Sequence, residues 1–264
     1  MSPAATSVPV VEANGARIPA LGLGTWALRG RTCARMVEEA LRLGYRHIDT
    51  AEMYENEREV GEGLRASGVP REEVFITTKV WSSNLAPDDL ARSARQSVAK
   101  LNVTQVDLLL IHWPNPRIPL AQTIPALCKV KTDGLAHHIG VSNFDTKLVN
   151  EAVRLATEPL VNDQIEWNPF VDQSATRQAC HKHGLSVTAY SPVAKGRTAN
   201  NKTLAAIGER HGKTATQVAL RFLLQEGAIV IPRTSRSERL AENFAVFDFT
   251  LGAADMTEIR KLAR

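Results

Sequence analysis

The chain has 264 residues, 32 basic and 28 acidic side chains, a net charge of +4, and 44% hydrophobic residues. That length supports a large core without disulfide or metal staples, and no run of five or more basic residues marks a nucleic-acid surface. No apolar run approaches the roughly 18–20 residues needed to span a bilayer. The first residues, Met1 to Val11, show no basic-then-apolar leader. Three cysteines, Cys33, Cys128 and Cys180, fall in helix-like segments. An odd number so placed suits reduced thiols in the cytoplasm better than a disulfide framework.

In chain order, Val8–Glu12 and Ala16–Ile18 flank Asn14-Gly15, a two-residue hairpin signal. A hairpin over residues 8–18 should therefore cover one end of the fold. Strands are then predicted at Ala20–Thr25, Tyr45–Asp49, Val74–Lys79, Val106–His112, Ala136–Val141, Leu160–Glu166, Ser186–Tyr190 and Ile229–Arg233. Amphipathic helices are predicted between them, at Thr32–Leu43, Glu57–Ser67, Pro87–Leu101, Ala121–Thr132, Thr146–Ala156, Ser174–His183 and Thr214–Glu226. Ser237–Phe244 follows the last strand, and Asp255–Ala263 reads as a final short helix. Pro125 should delay or kink the fourth helix. Glycines such as Gly44, Gly68 and Gly212 stand just past helical runs, where a left-handed cap needs them.

Alternating strands and helices, with apolar strands such as Leu108-Leu-Leu-Ile111, predict a parallel sheet covered on both faces. Eight such units predict one (β/α)8 barrel domain over residues 1–264. An open doubly wound sheet is disfavoured, because Gly22-Leu-Gly24 lacks the third glycine and following helix of a dinucleotide fingerprint.

In such a barrel the chemistry sits at the C-terminal ends of the strands. Asp49 ends the second strand, Lys79 the third and His112 the fourth, and Tyr54 follows closely after Asp49. Singly, these could be a helix cap, a packing residue, a solvated strand end and a core histidine. Together at one mouth they form a coherent device. A phenol has an ordinary pKa of about 10, and a neighbouring ammonium favours its ionised form. A carboxylate holds that ammonium in place. Tyr54 can then protonate a developing alkoxide while His112 orients the carbonyl oxygen. Hydride transfer also needs a donor that protein side chains do not supply, so a cofactor is implied.

The motifs Asp49-Thr-Ala-x-x-Tyr54-x-Asn-Glu57, Ile76-Thr-Thr-Lys79-Val-Trp81, Leu109-Leu-Ile-His112-Trp-Pro114, Gly140-Val-Ser-Asn-Phe144 and Ile231-Pro-Arg233 resemble the aldo-keto reductase superfamily. The look is that of its bacterial 2,5-diketo-gluconic acid and methylglyoxal reductases, and the likeness runs from about Ile18 to Leu262. It implies a catalytic tetrad of Asp49, Tyr54, Lys79 and His112, with NADP(H) bound in an extended pose. It also implies that Ser142, Asn143 and Gln164 hold the nicotinamide carboxamide, and that Tyr190, with Ser191 beside it, stacks on the ring. Arg233, Thr234 and Arg239 would face the 2′-phosphate, with Glu242 and Asn243 near the adenine. Trp26, Trp81 and Trp113 would shape the carbonyl pocket.

Three departures from the family pattern are visible. Asp163 stands where Asn usually precedes Gln, Arg233 replaces the more frequent Lys, and the stretch Asn115–Leu120 is short. Relatives also carry a longer C-terminal tail that folds over the substrate, so either this chain is trimmed or its site is unusually open. The leading expectation is an NADPH-dependent, cytoplasmic, monomeric reductase of small aldehydes, ketones or keto-sugar acids, with no metal and no nucleic-acid or membrane partner. Two alternatives are an NADP(H)-binding sensor with little turnover, and a metal-dependent hydrolase using Asp49, Glu52 and His112. The hydrolase would need at least three converging ligands.

Overall fold

The computed structural model describes residues 8–263; the leader reading of residues 1–7 lies outside them. The Asn14-Gly15 turn has φ of 43° and 88°, the positive pair that a type I′ hairpin requires. It joins β1 (Val10–Ala13) to an antiparallel β2 (Ala16–Pro19). Asn14 anchors the turn by donating to the carbonyls of Leu160 (2.7 Å) and His183 (3.0 Å).

Eight parallel strands follow: β3 (Leu23–Gly24), β4 (His47–Asp49), β5 (Phe75–Val80), β6 (Val106–Ile111), β7 (Ala136–Ser142), β8 (Leu160–Glu166), β9 (Ser186–Tyr190) and β10 (Ile229–Val230). They pair in sequence order. The sheet closes on itself where Leu21 bridges Val230. There Gly22 N–H donates to Val230 (2.9 Å), Val230 N–H to Ala20 (2.8 Å) and Gly24 N–H to Pro232 (3.2 Å). The two seam strands are shorter than predicted for a local reason: Pro232 has no N–H to extend the ladder.

The helices are α1 (Gly30–Leu43), α2 (Glu57–Ser67), α3 (Pro87–Leu101), α4 (Leu120–Thr132), α5 (Thr146–Leu155), α6 (Ser174–Lys182), α7 (Lys202–His211), α8 (Ala215–Gln225), α9 (Ser237–Phe244) and α10 (Ala253–Arg260). Most match the sequence expectation to within a residue or two. Helix α4 runs through Pro125 rather than starting after it. Helix α7 was not expected. It is capped by Asn201, which accepts from the Leu204 N–H at 3.0 Å, so the segment after β9 carries two helices instead of one.

Strand alternation sorts the core into two shells. Leu109 and Ile111 point outward into the large cluster shared with the helices. Leu108 and Leu110 point inward, joining Phe75, Val161 and Ile229 with Ala16 and Ile18 of the hairpin. The hairpin thus plugs the N-terminal end of the barrel, leaving the opposite end as the open mouth. Cys33, Cys128 and Cys180 are buried, unpaired thiols on α1, α4 and α6. Burial pushes the Cys33 thiol up to about 12 and moves Cys180 in the same direction. No helix among the described residues is long and apolar enough to cross a membrane.

The seam depends on a close backbone approach. A Cβ on Gly24 would lie 2.6 Å from the Ile231 carbonyl oxygen, and a main-chain atom in a closed barrel cannot step aside cheaply. Gly24→Ala should therefore cost about 1–3 kcal/mol, the usual range for overpacking. In a chain of this size that is a fall in Tm of roughly 2–10 °C. A calorimetric scan checks it; an unchanged Tm would mean the seam has slack.

Candidate active site

The mouth opens on a cavity of about 1050 Å³. At its base the C-terminal ends of β4 and β5 set Asp49 and Lys79 side by side. Lys79 has no exposed side-chain surface, and its Nζ is 2.6 Å from Asp49 Oδ1. The ammonium also donates to the Thr50 carbonyl at 2.8 Å and to Tyr54 Oη at 3.4 Å. Burial acts to lower the lysine pKa, but Asp49 and Tyr54 together override it, and the net shift is upward. The lysine is therefore charged at neutral pH. The second Asp49 oxygen accepts from Gln164 Nε2 at 2.7 Å, linking this corner to β8.

Tyr54 is carried by a short 3₁₀ turn, Glu52–Tyr54, after β4. Its burial raises the phenol pKa, and this outweighs the opposing pull of Lys79. With both influences present, Tyr54 rests as a neutral phenol, the form that can donate a proton. Asn56 fixes the turn from behind. It accepts from Thr50 Oγ1 (2.8 Å) and donates to the carbonyls of Thr25 (2.9 Å) and Leu28 (3.1 Å). Arg29 donates to the Tyr54 main-chain carbonyl.

His112 follows β6 and is 7% exposed. Burial first, and Lys79 second, hold its pKa down to about 3, so the imidazole is neutral. Its Nδ1 is buried without a hydrogen-bond partner among the described residues, which leaves Nε2 as the nitrogen at the cavity. The ring lies edge-on between Tyr54, at a centroid distance of 5.6 Å, and Trp81, at 5.2 Å.

Asp49, Tyr54 and His112 line the cavity, with Lys79 buried behind them. All ten residues expected at a cofactor also line it: Ser142, Asn143, Gln164, Tyr190, Ser191, Arg233, Thr234, Arg239, Glu242 and Asn243. Several are bonded to one another. Ser142 Oγ donates to the Gln164 carbonyl (2.7 Å), Asn143 donates to the His112 carbonyl (2.9 Å), and Tyr190 Oη donates to Asn143 Oδ1 (2.8 Å). Glu242 accepts from Thr214 at 2.8 Å. Arg233 reaches back across the seam, its Nε 3.3 Å from the Trp26 carbonyl.

Trp26 and Trp113 line the mouth and are 49% and 44% exposed. Trp81 is not among the lining residues; it backs His112 instead. Lys195, Gly196, Thr214 and Thr216, which no sequence motif marks, also line the trough. Lys195 and Gly196 belong to a tight loop after β9, with φ of 52° and 94°; only the Ser191-Pro192 pair hinted that the chain turns there. The short stretch after His112 folds onto the neighbouring loop, where Asn115 donates to the Ser82 carbonyl at 2.9 Å.

The hydrolase alternative fails on geometry. Asp49 is engaged by Lys79 and Gln164, while Glu52 turns away to accept from Trp81, Asn84 and Ser93. The two carboxylates do not converge on a common point with His112.

Fold and site together define a barrel oxidoreductase. Residues 20–264 match the Aldo/keto reductase family, and the chain belongs to it. It is 40% identical over 250 residues to methylglyoxal reductase DkgB of Yersinia pestis, covering 94% of each chain. Among solved structures, a putative 2,5-diketo-D-gluconic acid reductase B is 46% identical, with a TM-score of 0.96 over 97% of this chain and 92% of the other. An aldo-keto reductase of Bombyx mori, solved in complex with NADP, is 33% identical, with a TM-score of 0.91 over 98% and 94%.

Asp163 lies on the outer face of β8, fully buried, with Oδ1 unpartnered and Oδ2 3.9 Å from Cys180 Sγ. Burial raises its pKa well above the usual 3.8, against a smaller opposing bond from the Phe144 N–H. The folded chain thus holds a proton that the unfolded chain releases above pH 3.8. The acid's favourable contribution is complete below that pH and is lost as pH rises towards the folded value. Asp163→Asn should accordingly raise Tm at pH 8 by roughly 2–4 °C, about 1 kcal/mol in a chain of this size. The gain should vanish near pH 4; a pH-independent difference between the two Tm curves would refute the protonated carboxyl.

Proposed function

We propose that the protein is an NADPH-dependent reductase of small aldehydes, ketones and keto acids, with Tyr54 as the general acid. The observation that carries this reading is the Tyr54 hydroxyl at the cavity, 3.4 Å from a buried, carboxylate-paired ammonium and with the His112 ring packed beside it.

The residues present suit the cofactor. The wall of the trough carries three cationic side chains, Arg233, Arg239 and Lys195. Guanidinium groups match a phosphate monoester with forked donors, which favours NADPH over NADH. When bound, the reduced dinucleotide would supply the hydride. Ser142, Asn143 and Gln164 would hold its carboxamide end, with Tyr190 against the ring and Ser191 beside it. Thr234, Glu242 and Asn243 would hold the adenosine end.

The remaining work falls to the chain. His112 donates from Nε2 to the carbonyl oxygen and orients it. Tyr54 Oη gives its proton to that oxygen as negative charge grows there. Lys79 then stabilises the phenolate left behind, and Asp49 keeps the ammonium charged and in place. Trp26 and Trp113 flank the entrance and would exclude water around a small carbonyl compound; the names of the reductase relatives support a compact dicarbonyl such as methylglyoxal as the substrate. We infer a cytoplasmic monomer, and the three buried, unpaired thiols support the reducing compartment.

Stopped-flow and steady-state assays with NADPH and methylglyoxal test the assignment. Tyr54→Phe should bind NADPH as wild type does and lose about 10²- to 10⁴-fold in kcat, the scale of general acid catalysis. Retained kcat would remove Tyr54 from the reaction. Arg239→Ala should weaken NADPH by at least about tenfold, some 1.4 kcal/mol, and leave NADH nearly unchanged. Equal losses for both cofactors would refute a phosphate contact.

A further inference from the structure

We propose that Glu52 is a positioning residue for this reaction, holding Trp81 against His112 so that the imidazole faces the carbonyl in one orientation. The inference rests on the reductase reading above and extends it to a side chain that touches neither substrate nor cofactor.

A histidine that must aim one nitrogen at a substrate is usually fixed by a hydrogen bond at the other. Here Nδ1 is buried and has no partner among the described residues. The ring is held instead by packing, between Tyr54 on one side and the Trp81 indole on the other, with interplanar angles of 74° and 83°. Its aim is therefore only as good as the placement of those two rings.

Both placements pass through Glu52. The residue opens the 3₁₀ turn that carries Tyr54. Its Oε2 accepts from the Trp81 main-chain N–H at 3.0 Å. Its Oε1 accepts from Asn84 Nδ2 at 2.9 Å and from Ser93 Oγ at 3.0 Å. These donors belong to three different pieces: the residue after β5, the turn Ser82–Asn84, and the buried face of α3. One carboxylate thus ties the β4 loop, which carries the acid, to the β5 loop, which carries the buttress. No cation takes part. A carboxylate that spends both oxygens on neutral donors in this way acts as a geometric anchor, because charged acceptors make the shorter and stronger hydrogen bonds.

Loss of the anchor frees the Trp81 N–H and the Asn84 amide at once, and the indole can then slide off the imidazole. Small displacements of a group at the reacting oxygen can cost on the order of 10²-fold in rate. The cofactor wall, built from β7 to β10 and their loops, is on other elements and should not notice.

The test uses the full chain as wild type, Glu52→Ala and Glu52→Gln, with NADPH and methylglyoxal. Glu52→Ala should lower kcat by about 10- to 100-fold, with the Kd for NADPH within about twofold of wild type. Glu52→Gln keeps one acceptor oxygen and should recover to within about threefold. In the cofactor-free protein, the ¹⁵N-detected His112 ring signals should broaden in Glu52→Ala and be intermediate in Glu52→Gln. A kcat for Glu52→Ala within twofold of wild type would overturn the proposal. So would a parallel loss of NADPH affinity, or Glu52→Gln as impaired as Glu52→Ala. If Glu52→Ala does not fold, Ser93→Ala removes a single donor, and it should give the same selective loss of kcat at about two- to fivefold; no loss there refutes the anchor. If wild type turns over no carbonyl, the reductase reading fails separately, and the ring signals alone decide: unchanged signals across the variants sink the positioning role.

Discussion

A lysine with no exposed surface is the constraint around which this molecule is arranged. Bringing an ammonium out of water costs several kcal/mol unless charge and hydrogen bonds answer it. Asp49, the Thr50 carbonyl and the Tyr54 hydroxyl answer it from one side of the Lys79 headgroup. Each donor or acceptor that does so is itself pinned: Asp49 by Gln164, Thr50 by Asn56, and Tyr54 by the turn that Glu52 begins. An apolar pair in the same place would be at least as stable. What the ion pair provides is a fixed positive charge next to a phenol, inside a space that the hairpin and the inner leucines close to water from below.

The mouth divides into two territories with different physics. The ends of β4, β5 and β6 and the turn after β4 carry the Asp49–Lys79 pair, Tyr54 and His112, packed against one another. The ends of β7 to β10 supply hydrogen-bonding side chains and arginines around an open trough. Asp49 to Gln164 joins the two territories at the floor, and Arg233 to the Trp26 carbonyl joins them at the rim across the seam. Tyr54 and His112 are both neutral at rest for the same reason, burial, so no titration near neutral pH disturbs them.

Much of this was legible before any coordinates. Period and punctuation gave the strands and most helices, because parallel strands buried on both faces read as short apolar blocks such as Leu108–Ile111, and glycines mark the ends of helices. The tetrad was legible because barrel geometry makes the last residue of each strand a neighbour of the others. What escaped notice depended on contacts between distant loops. Nothing local in Trp81 says that it backs a histidine rather than walling a pocket. Glu52 looked like a possible metal ligand because its three donors lie 29 to 41 positions away. Lys195 hides in a loop whose left-handed turns fall on alanine and lysine rather than glycine alone. Helix α7 was passed over because Gly208 interrupts a short periodic run, where it permits a close approach to the Lys213 carbonyl.

The three thiols have a use beyond what their burial says about compartment. Cys33, Cys128 and Cys180 sit on α1, α4 and α6, roughly spaced around the outer ring of helices. Burial keeps thiols of this kind protonated and shielded, so a thiol-specific reagent reaches them only when the surrounding layer opens. The chain therefore carries three native reporters of local breathing, one in each of three sectors of the barrel. Their relative labelling rates would map which flank of the ring loosens first, without adding a single probe.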